Sequence, residues 1–131
     1  MKTLVVEDEP TSRLILQTVL SRYGECHVAV NGREAVDAFR MAADNGSPYD
    51  LICMDIMMPE MDGKQSVKQI RAVEKTRGVK PTLAVRIIMT TVSTEMKEIL
   101  QSFHALCDAY LFKPIDTAEL ISKLRSFRLV A

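Results

Sequence analysis

The stretch from Leu51 to Gly63 constrains the fold most, because an apolar run in it leads directly into an aspartate. Residues 51–54 are apolar and lie between the turn residues 48–50 and Asp55. A short apolar run bounded in this way is typical of a strand that is buried on both faces of a parallel sheet. An ionised carboxylate at the end of such a strand is costly unless another group compensates its charge. The sequence therefore predicts a compensating group at this edge of the sheet.

Strand and helix patterns alternate five times along the chain. Short apolar runs are followed each time by a segment in which apolar residues recur at helical spacing. This alternation predicts an α/β fold with a parallel sheet, because each parallel crossover places a helix over a face of the sheet. The predicted strands are 3–6, 26–30, 51–54, 85–89 and 109–112, and the predicted helices begin near Pro10, Asn31, Asp62, Met96 and Asp116.

Composition narrows the functional class. The chain has 131 residues, of which 47% are hydrophobic and 26% charged, as expected for one globular domain. Because 17 basic residues balance 17 acidic ones, no charge excess favours nucleic acid or an anionic membrane. There is no signal peptide and no long apolar run, so we expect a cytoplasmic protein. Cys26, Cys53 and Cys107 are odd in number and widely spaced, which argues against disulfides and a zinc site.

Polar residues follow four of the predicted strands. If these strands are neighbours, their carboxyl ends bring the groups together at the edge where open α/β sheets bind ligands. Carboxylates that crowd together need a proton or a cation, and oxygen ligands without Cys or His favour Mg²⁺. A divalent cation beside a lysine and a hydroxyl can hold a phosphoryl group, and a carboxylate nucleophile would then form an aspartyl phosphate. The groups concerned are Glu7, Asp8, Asp55, Thr90, Thr91 and Lys113.

Five short motifs occur in order at residues 4–9 (LVVEDE), 31–35 (NGREA), 54–63 (MDIMMPEMDG), 87–91 (IIMTT) and 110–114 (YLFKP). Together they resemble the receiver domain of two-component response regulators, in the stand-alone chemotaxis-type form. The resemblance spans essentially the whole chain. It implies a flavodoxin-like, doubly wound α/β fold with a five-stranded parallel sheet of order 2-1-3-4-5 and five helices. It also implies that residues 1–131 are a single receiver domain with no output domain.

The resemblance also implies an acceptor and a metal site. Asp55 would accept a phosphoryl group from the phosphohistidine of a histidine kinase or phosphotransfer protein. Asp8, Asp55 and the backbone carbonyl of Met57 would bind Mg²⁺ directly, and Glu7 would hold it through water. The resemblance therefore implies a signalling protein that itself becomes phosphorylated, and not an enzyme.

Three further residues receive roles from the resemblance. Lys113 would pair with a phosphoryl oxygen, Thr91 would turn to hydrogen-bond the phosphate, and Tyr110 would move inward behind it. The face formed by the fourth helix, the fifth strand and the fifth helix would then bind a downstream protein. We expect a monomer or a weak homodimer, with no nucleic acid or membrane partner.

Other interpretations remain open from the residues. A haloacid-dehalogenase-like phosphohydrolase also uses an aspartate nucleophile, but it resembles Asp-x-Asp, and here the second position is Met57. A pseudo-receiver scaffold would bind its partner without phosphorylation, against which the acidic set and Lys113 argue. Glu7 and Asp8 could instead cap the first helix, since acidic residues favour its N-terminus.

Several positions depart from the family pattern. Val92 follows the switch threonine where the family usually has a small residue, and we predict that it slows phosphorylation or hydrolysis. Thr90 replaces a commoner apolar residue, and the switch is assigned to Thr91. Residues 74–86 form a longer segment than in minimal receivers. The family also suggests a cis peptide bond between Lys113 and Pro114.

Overall fold

Five parallel strands form one sheet in the computed structural model, which describes residues 1–58, 61–92 and 106–131. The strand order is 2-1-3-4-5, so the predicted sheet and its order are confirmed. β4 begins one residue later and ends two residues later than expected, and it therefore includes both threonines. The strands are β1 (Thr3–Val6), β2 (Cys26–Ala29), β3 (Leu51–Asp55), β4 (Arg86–Thr91) and β5 (Ala109–Phe112).

Four of the five predicted helices fall within the described residues, and the one expected around Met96 lies outside them. The described part contains no helix that is both long and apolar enough to cross a membrane. Short 3₁₀ turns follow the first and third helices. The helices are α1 (Pro10–Leu20), α2 (Gly32–Asp44), α3 (Gly63–Thr76) and α4 (Thr117–Ser126), and the turns are Ser21–Tyr23 and Pro81–Leu83.

Apolar residues pack on both faces of the sheet, as a doubly wound fold requires. Alternate residues of β3 join different clusters, so all five of its residues are buried. One face packs against α2 and α3, and the other against α1 and α4. The first cluster includes Leu4, Ile52, Met54, Phe39 and Ile70, and the second includes Val5, Cys53, Ile88, Leu16 and Leu120.

Side-chain caps fix the beginning of α2, α3 and α4. The Asn31 side chain accepts a hydrogen bond from the Glu34 N–H at 2.8 Å, and Asp62 accepts one from Gln65 at 2.9 Å. Asp116 does the same for α4 through the N–H of Ala118 at 2.9 Å. These bonds satisfy N–H groups that have no partner within the helix. The predicted starts of these helices near Asn31, Asp62 and Asp116 are therefore confirmed.

An arginine on α3 joins three elements at the amino edge of the sheet. Arg71 donates to Glu74 Oε1 at 2.6 Å and to the Val85 carbonyl at 2.9 Å. It also donates to the Leu106 carbonyl at 2.9 Å and to Asp108 Oδ2 at 3.3 Å. The guanidinium thus holds α3, the start of β4 and the approach to β5 together.

The two carboxylates of this network are fully hydrogen-bonded. Glu74 is only 6% exposed, and its second oxygen accepts from the Val85 N–H at 2.8 Å. Asp108 accepts from Arg86 at 3.1 Å and from the Ile87 N–H at 2.8 Å. Two arginines therefore balance two carboxylates, and every carboxylate oxygen has a donor.

Candidate functional site

The N-terminus of α1 is capped by Glu9. Its two carboxylate oxygens accept from the N–H groups of Thr11 at 2.9 Å and Ser12 at 2.7 Å. These bonds lower the pKa of Glu9 from 4.5 to about 2. Since Glu9 provides the cap, the alternative that Glu7 and Asp8 serve as the caps of this helix loses its basis.

The structure brings Glu7, Asp8 and Asp55 together at the carboxyl edge of the sheet. One carboxylate oxygen from each lies within 4.8 Å of the others. The cause is the strand register, since β1 and β3 are neighbours and both acidic positions directly follow the pair Val6 and Met54. Glu7 is fully buried and Asp55 is 5% exposed, whereas Asp8 is exposed. The cluster therefore consists of two buried carboxylates, Glu7 and Asp55, and one exposed carboxylate, Asp8.

Lys113 is the cation of this cluster. Its backbone N–H donates to the Thr91 carbonyl at 2.7 Å, which fixes the residue just beyond β5. Its ammonium forms an ion pair with Glu7 and lies 3.4 Å from Asp55 Oδ2. Burial lowers the pKa of Lys113, but the hydrogen bond to Glu7 and the charges of Asp55 and Glu7 outweigh it and raise the pKa overall. The Lys113–Pro114 bond is cis, as the family resemblance suggests.

Asp55 is poorly compensated in spite of this lysine. Burial, followed by a hydrogen bond with Glu7 and its charge, raises the pKa of Asp55 from 3.8 to about 7. Lys113 and the Met57 N–H, which donates to Asp55 Oδ1 at 3.3 Å, oppose that rise without cancelling it. Among the described residues, three carboxylates thus share the Lys113 ammonium, and a divalent cation would neutralise the excess.

The donor set fits a magnesium ion. Glu7 Oε1 is buried, and its partner among the described residues is the Lys113 ammonium. All the side-chain ligand atoms are carboxylate oxygens, which suit a hard cation that keeps some of its water. Asp8 is exposed and leaves an entry path for the ion.

Thr91 and Tyr110 lie on the same face of the sheet. Thr91 ends β4, is 1% exposed and directly follows Thr90, which is paired with Asp55. Met89 is paired with Tyr110, so strand alternation places Thr91 on the tyrosine's side, where Tyr110 packs against the α2–α3 cluster. Thr90 points to the other face, and its buried hydroxyl has no partner among the described residues. This arrangement favours Thr91 over Thr90 as the partner of Tyr110.

Gly63 allows α3 to begin directly against the site. A Cβ atom at this position would lie 2.4 Å from the Asp55 carbonyl oxygen, which is shorter than any normal contact. The Gly63 N–H also donates to the Ile56 carbonyl at 3.0 Å. The last residue of the 54–63 motif is therefore a glycine for a steric reason, and it fixes the distance between α3 and the end of β3.

Residues 3–125 match the family described as the response regulator receiver domain. The chain belongs to this family. The receiver is 37% identical to the sensor histidine kinase GacS of Pseudomonas protegens over 120 residues, which are 91% of this chain and 12% of that protein. Its curated relatives include sensor kinases and transcriptional regulators, so the matches do not assign it to the stand-alone chemotaxis-type form.

Solved receiver structures share the fold. The receiver domain of the sensor histidine kinase PA1611 from Pseudomonas aeruginosa, with a magnesium ion in its active-site cleft, superposes with a TM-score of 0.77 at 29% identity and covers 96% of this chain and 95% of its own. The Saccharomyces cerevisiae Ssk1 receiver, solved with the phosphotransfer protein Ypd1, gives 0.80 at 29% identity, covering 97% and 88%. The flavodoxin-like receiver fold is therefore confirmed.

Proposed function

We propose that residues 1–131 act as one receiver domain whose Asp55 accepts a phosphoryl group from the phosphohistidine of a histidine kinase or phosphotransfer protein. The observation that carries this proposal is the position of Asp55, a nearly buried carboxylate between Glu7 and the Lys113 ammonium. The PA1611 receiver with its magnesium ion and the Ypd1 complex of the Ssk1 receiver support the proposal.

The metal would be held by residues that already crowd together. Asp8, Asp55 and the Met57 carbonyl would bind Mg²⁺ directly, and Glu7 would hold it through water. When bound, the ion supplies positive charge for the carboxylates and for the incoming phosphoryl oxygens. The Met57 peptide lies beside the acceptor because its N–H already donates to Asp55.

The transfer would use Asp55 as the nucleophile. A bond forms between its carboxylate oxygen and phosphorus while the bond from phosphorus to the histidine nitrogen breaks, and the imidazole leaves with that electron pair. Lys113 would exchange its contact with Asp55 for a phosphoryl oxygen, keeping its charge within the site. The raised pKa of Asp55 describes the metal-free state, in which this nucleophile is partly protonated near neutral pH.

Thr91 and Tyr110 would couple the phosphate to a partner surface. The Thr91 hydroxyl would turn to hydrogen-bond the new phosphoryl group, and Tyr110 would fill the space behind it on the same face. A downstream protein would bind near β5 and α4, where the expected surface also includes the predicted helix around Met96. Such a switch shifts a two-state equilibrium by the difference in phosphate contacts between the states.

Exposed apolar side chains near the site support docking of a phosphodonor protein. Leu14 on α1 is 64% exposed, Met57 after β3 is 63% exposed, and Val92 after β4 is 72% exposed. All three belong to segments that begin at the carboxyl edge of the sheet. Burying such side chains in a complex is favourable in proportion to their apolar area.

A phosphorylation assay tests the proposal. The protein is incubated with acetyl phosphate and Mg²⁺, and intact-mass spectrometry follows the adduct. We expect one added phosphoryl group, which is lost in Asp55→Asn and when EDTA removes the metal. The matched control is Asp37→Asn, the same substitution at an exposed residue of α2, which keeps the adduct.

Other outcomes would assign other functions. An adduct that persists in Asp55→Asn would contradict the acceptor assignment. Rapid multiple turnover of the phosphodonor would favour the phosphohydrolase, and absence of any adduct would favour a scaffold that works without phosphorylation.

A further inference from the structure

The segment between α3 and β4 forms one wall of a cavity at the amino edge of the sheet. The cavity has a volume of about 550 Å³ and lies at the opposite end of β3 and β4 from Asp55. Volumes of 300–1,000 Å³ are typical of sites that bind small molecules. The longer segment noted in the sequence, residues 74–86, therefore helps to form a cavity that the proposed phosphorylation does not involve.

The rim of this cavity is held in place by hydrogen bonds. Where α3 ends, the Gly78 N–H donates to the Lys75 carbonyl at 3.1 Å, and Gly78 has a positive φ of 70° that suits glycine. The 3₁₀ turn is closed by the Leu83 N–H on the Lys80 carbonyl at 2.8 Å. Glu74 then anchors the return to β4, so the cavity is formed before any ligand arrives.

The walls contain apolar side chains, some of them exposed, among charged ones. Leu83 is 75% exposed and Val79 is 36% exposed, and both line the cavity from the rim. The opposite wall contains Phe127, whose ring lies 5.5 Å from the Arg86 guanidinium carbon. Buried Phe39 also lines the cavity. An apolar ligand would cover side chains that now contact water, which is favourable.

One cation at the rim is left over when the ion pairs are assigned. Arg77 is paired with Asp44, and Arg86 is paired with Asp108. Lys80 lines the cavity, is exposed and forms no ion pair within the part of the chain that the structure describes. The Lys80 ammonium is therefore available for a ligand at the rim, beside the apolar side chains of the cavity.

We propose that this cavity binds a small amphipathic anion. The apolar body of the ligand would lie between Leu83 and Phe127, and its carboxylate or sulfonate would contact the Lys80 ammonium. Asp50 also lines the cavity, and its Oδ2 accepts the Lys2 N–H at 2.7 Å. Because this carboxylate would repel an anion, the anionic head of the ligand would point toward Lys80 and away from β3. The site is separate from the acidic cluster, and the proposal holds whether or not Asp55 is phosphorylated.

A titration with 8-anilinonaphthalene-1-sulfonate, an aromatic monoanion, tests the site. We expect saturable one-to-one binding that weakens with salt, and methyl NMR shifts at Val79, Leu83 and Leu129. Lys80→Gln should weaken binding about two- to fivefold, the range for a solvent-exposed charge pair. The matched control is Lys123→Gln on α4, a lysine that does not line this cavity and should bind the probe like the unmodified protein.

A second variant fills the chamber. Ala43→Phe places a large side chain on the α2 wall and should reduce affinity more than tenfold, while Asp55 phosphorylation at the other edge continues. Absence of saturable binding overturns the proposal, and so do methyl shifts that centre on α1 instead of the cavity. If Ala43→Phe fails to fold, equal binding by Lys80→Gln and Lys123→Gln is by itself sufficient to overturn it.

Discussion

The two edges of the sheet both hold carboxylates, but they compensate them differently. At the amino edge, Arg71 and Arg86 face Glu74 and Asp108, and every carboxylate oxygen accepts a hydrogen bond. That arrangement is neutral and needs no further partner. Its geometry connects helix to strand, which is a structural task.

At the carboxyl edge, the acids outnumber the cation. Among the described residues, Glu7, Asp8 and Asp55 share the ammonium of Lys113. When all three carboxylates are ionised, two negative charges are in excess, and one divalent cation would neutralise them. The comparison teaches that ionic groups are balanced by hydrogen bonds and ion pairs at one edge of this fold and leave an excess of acidic groups at the other.

The largest expected effect is loss of the amino-edge balance. Arg71→Met should lower the free energy of unfolding by about 3 kcal/mol, because Glu74 and Asp108 lose a cation and two carbonyl groups lose a donor. Urea unfolding followed by circular dichroism measures the change. The control Lys75→Met, an exposed lysine on the same helix, should stay within about 0.5 kcal/mol of the unmodified protein. Equal effects of the two variants would remove the distinction between the edges.

Removing a charged group at the carboxyl edge should instead raise the free energy of unfolding. With EDTA at pH 8, Asp55→Asn should raise the free energy of unfolding by about 2 kcal/mol, because it removes a charge whose burial and repulsion by Glu7 raise its pKa.

The pH dependence follows from that pKa. The folded value of about 7 lies above the ordinary 3.8, so the folded protein holds a proton that the unfolded chain releases. The unmodified protein should therefore lose stability as pH rises from about 4 to about 7, and the gain in Asp55→Asn should shrink toward pH 4. Unfolding curves across this range measure the slope, and a flat difference between the two proteins would contradict the assignment.

Magnesium should neutralise the excess negative charge at the carboxyl edge and leave the amino edge unchanged. At ten times its dissociation constant, Mg²⁺ should stabilise the protein by about 1.4 kcal/mol, the value for one ligand that binds only the folded state. Glu7→Gln should reduce that gain, whereas Arg71→Met should keep it, since that variant alters the other edge. Thermal unfolding with and without Mg²⁺ decides the matter, and a gain that Glu7→Gln retains in full would place the ion elsewhere.

The smallest effect on stability is expected at Val92. Its side chain is 72% exposed, so Val92→Ala should change the free energy of unfolding by less than about 0.5 kcal/mol. We expect phosphorylation or hydrolysis to become faster because a branched side chain beside the site is removed. Timing both reactions measures the effect, and unchanged rates would reject the prediction.

The carboxyl edge could be predicted from the sequence because parallel strands bring their ends together whatever the side chains do. The alternation of elements placed Glu7, Asp55 and Lys113 at one edge, and the structure brings them into contact. The cap at Glu9 was missed, although its position directly before Pro10 is a signal for the start of a helix. Glu7 and Asp8, the acidic residues just before Glu9, made that signal hard to distinguish.

The amino-edge network could not be predicted in the same way. Arg71 and Glu74 have the spacing of an ordinary surface pair on a helix. Asp108 is 37 residues from Arg71, and no local pattern indicates that it reaches the same guanidinium. Such contacts depend on how the packed elements are placed, which spacing along the chain does not encode.

The close approach at Gly63 has a mechanical consequence. Because Gly63 has no side chain, the first residue of α3 lies directly against the carbonyl of Asp55. A shift of the backbone at residue 55 would push the helix along its length. If Asp55 is phosphorylated as proposed, such a shift would carry the change to the outer side of α3.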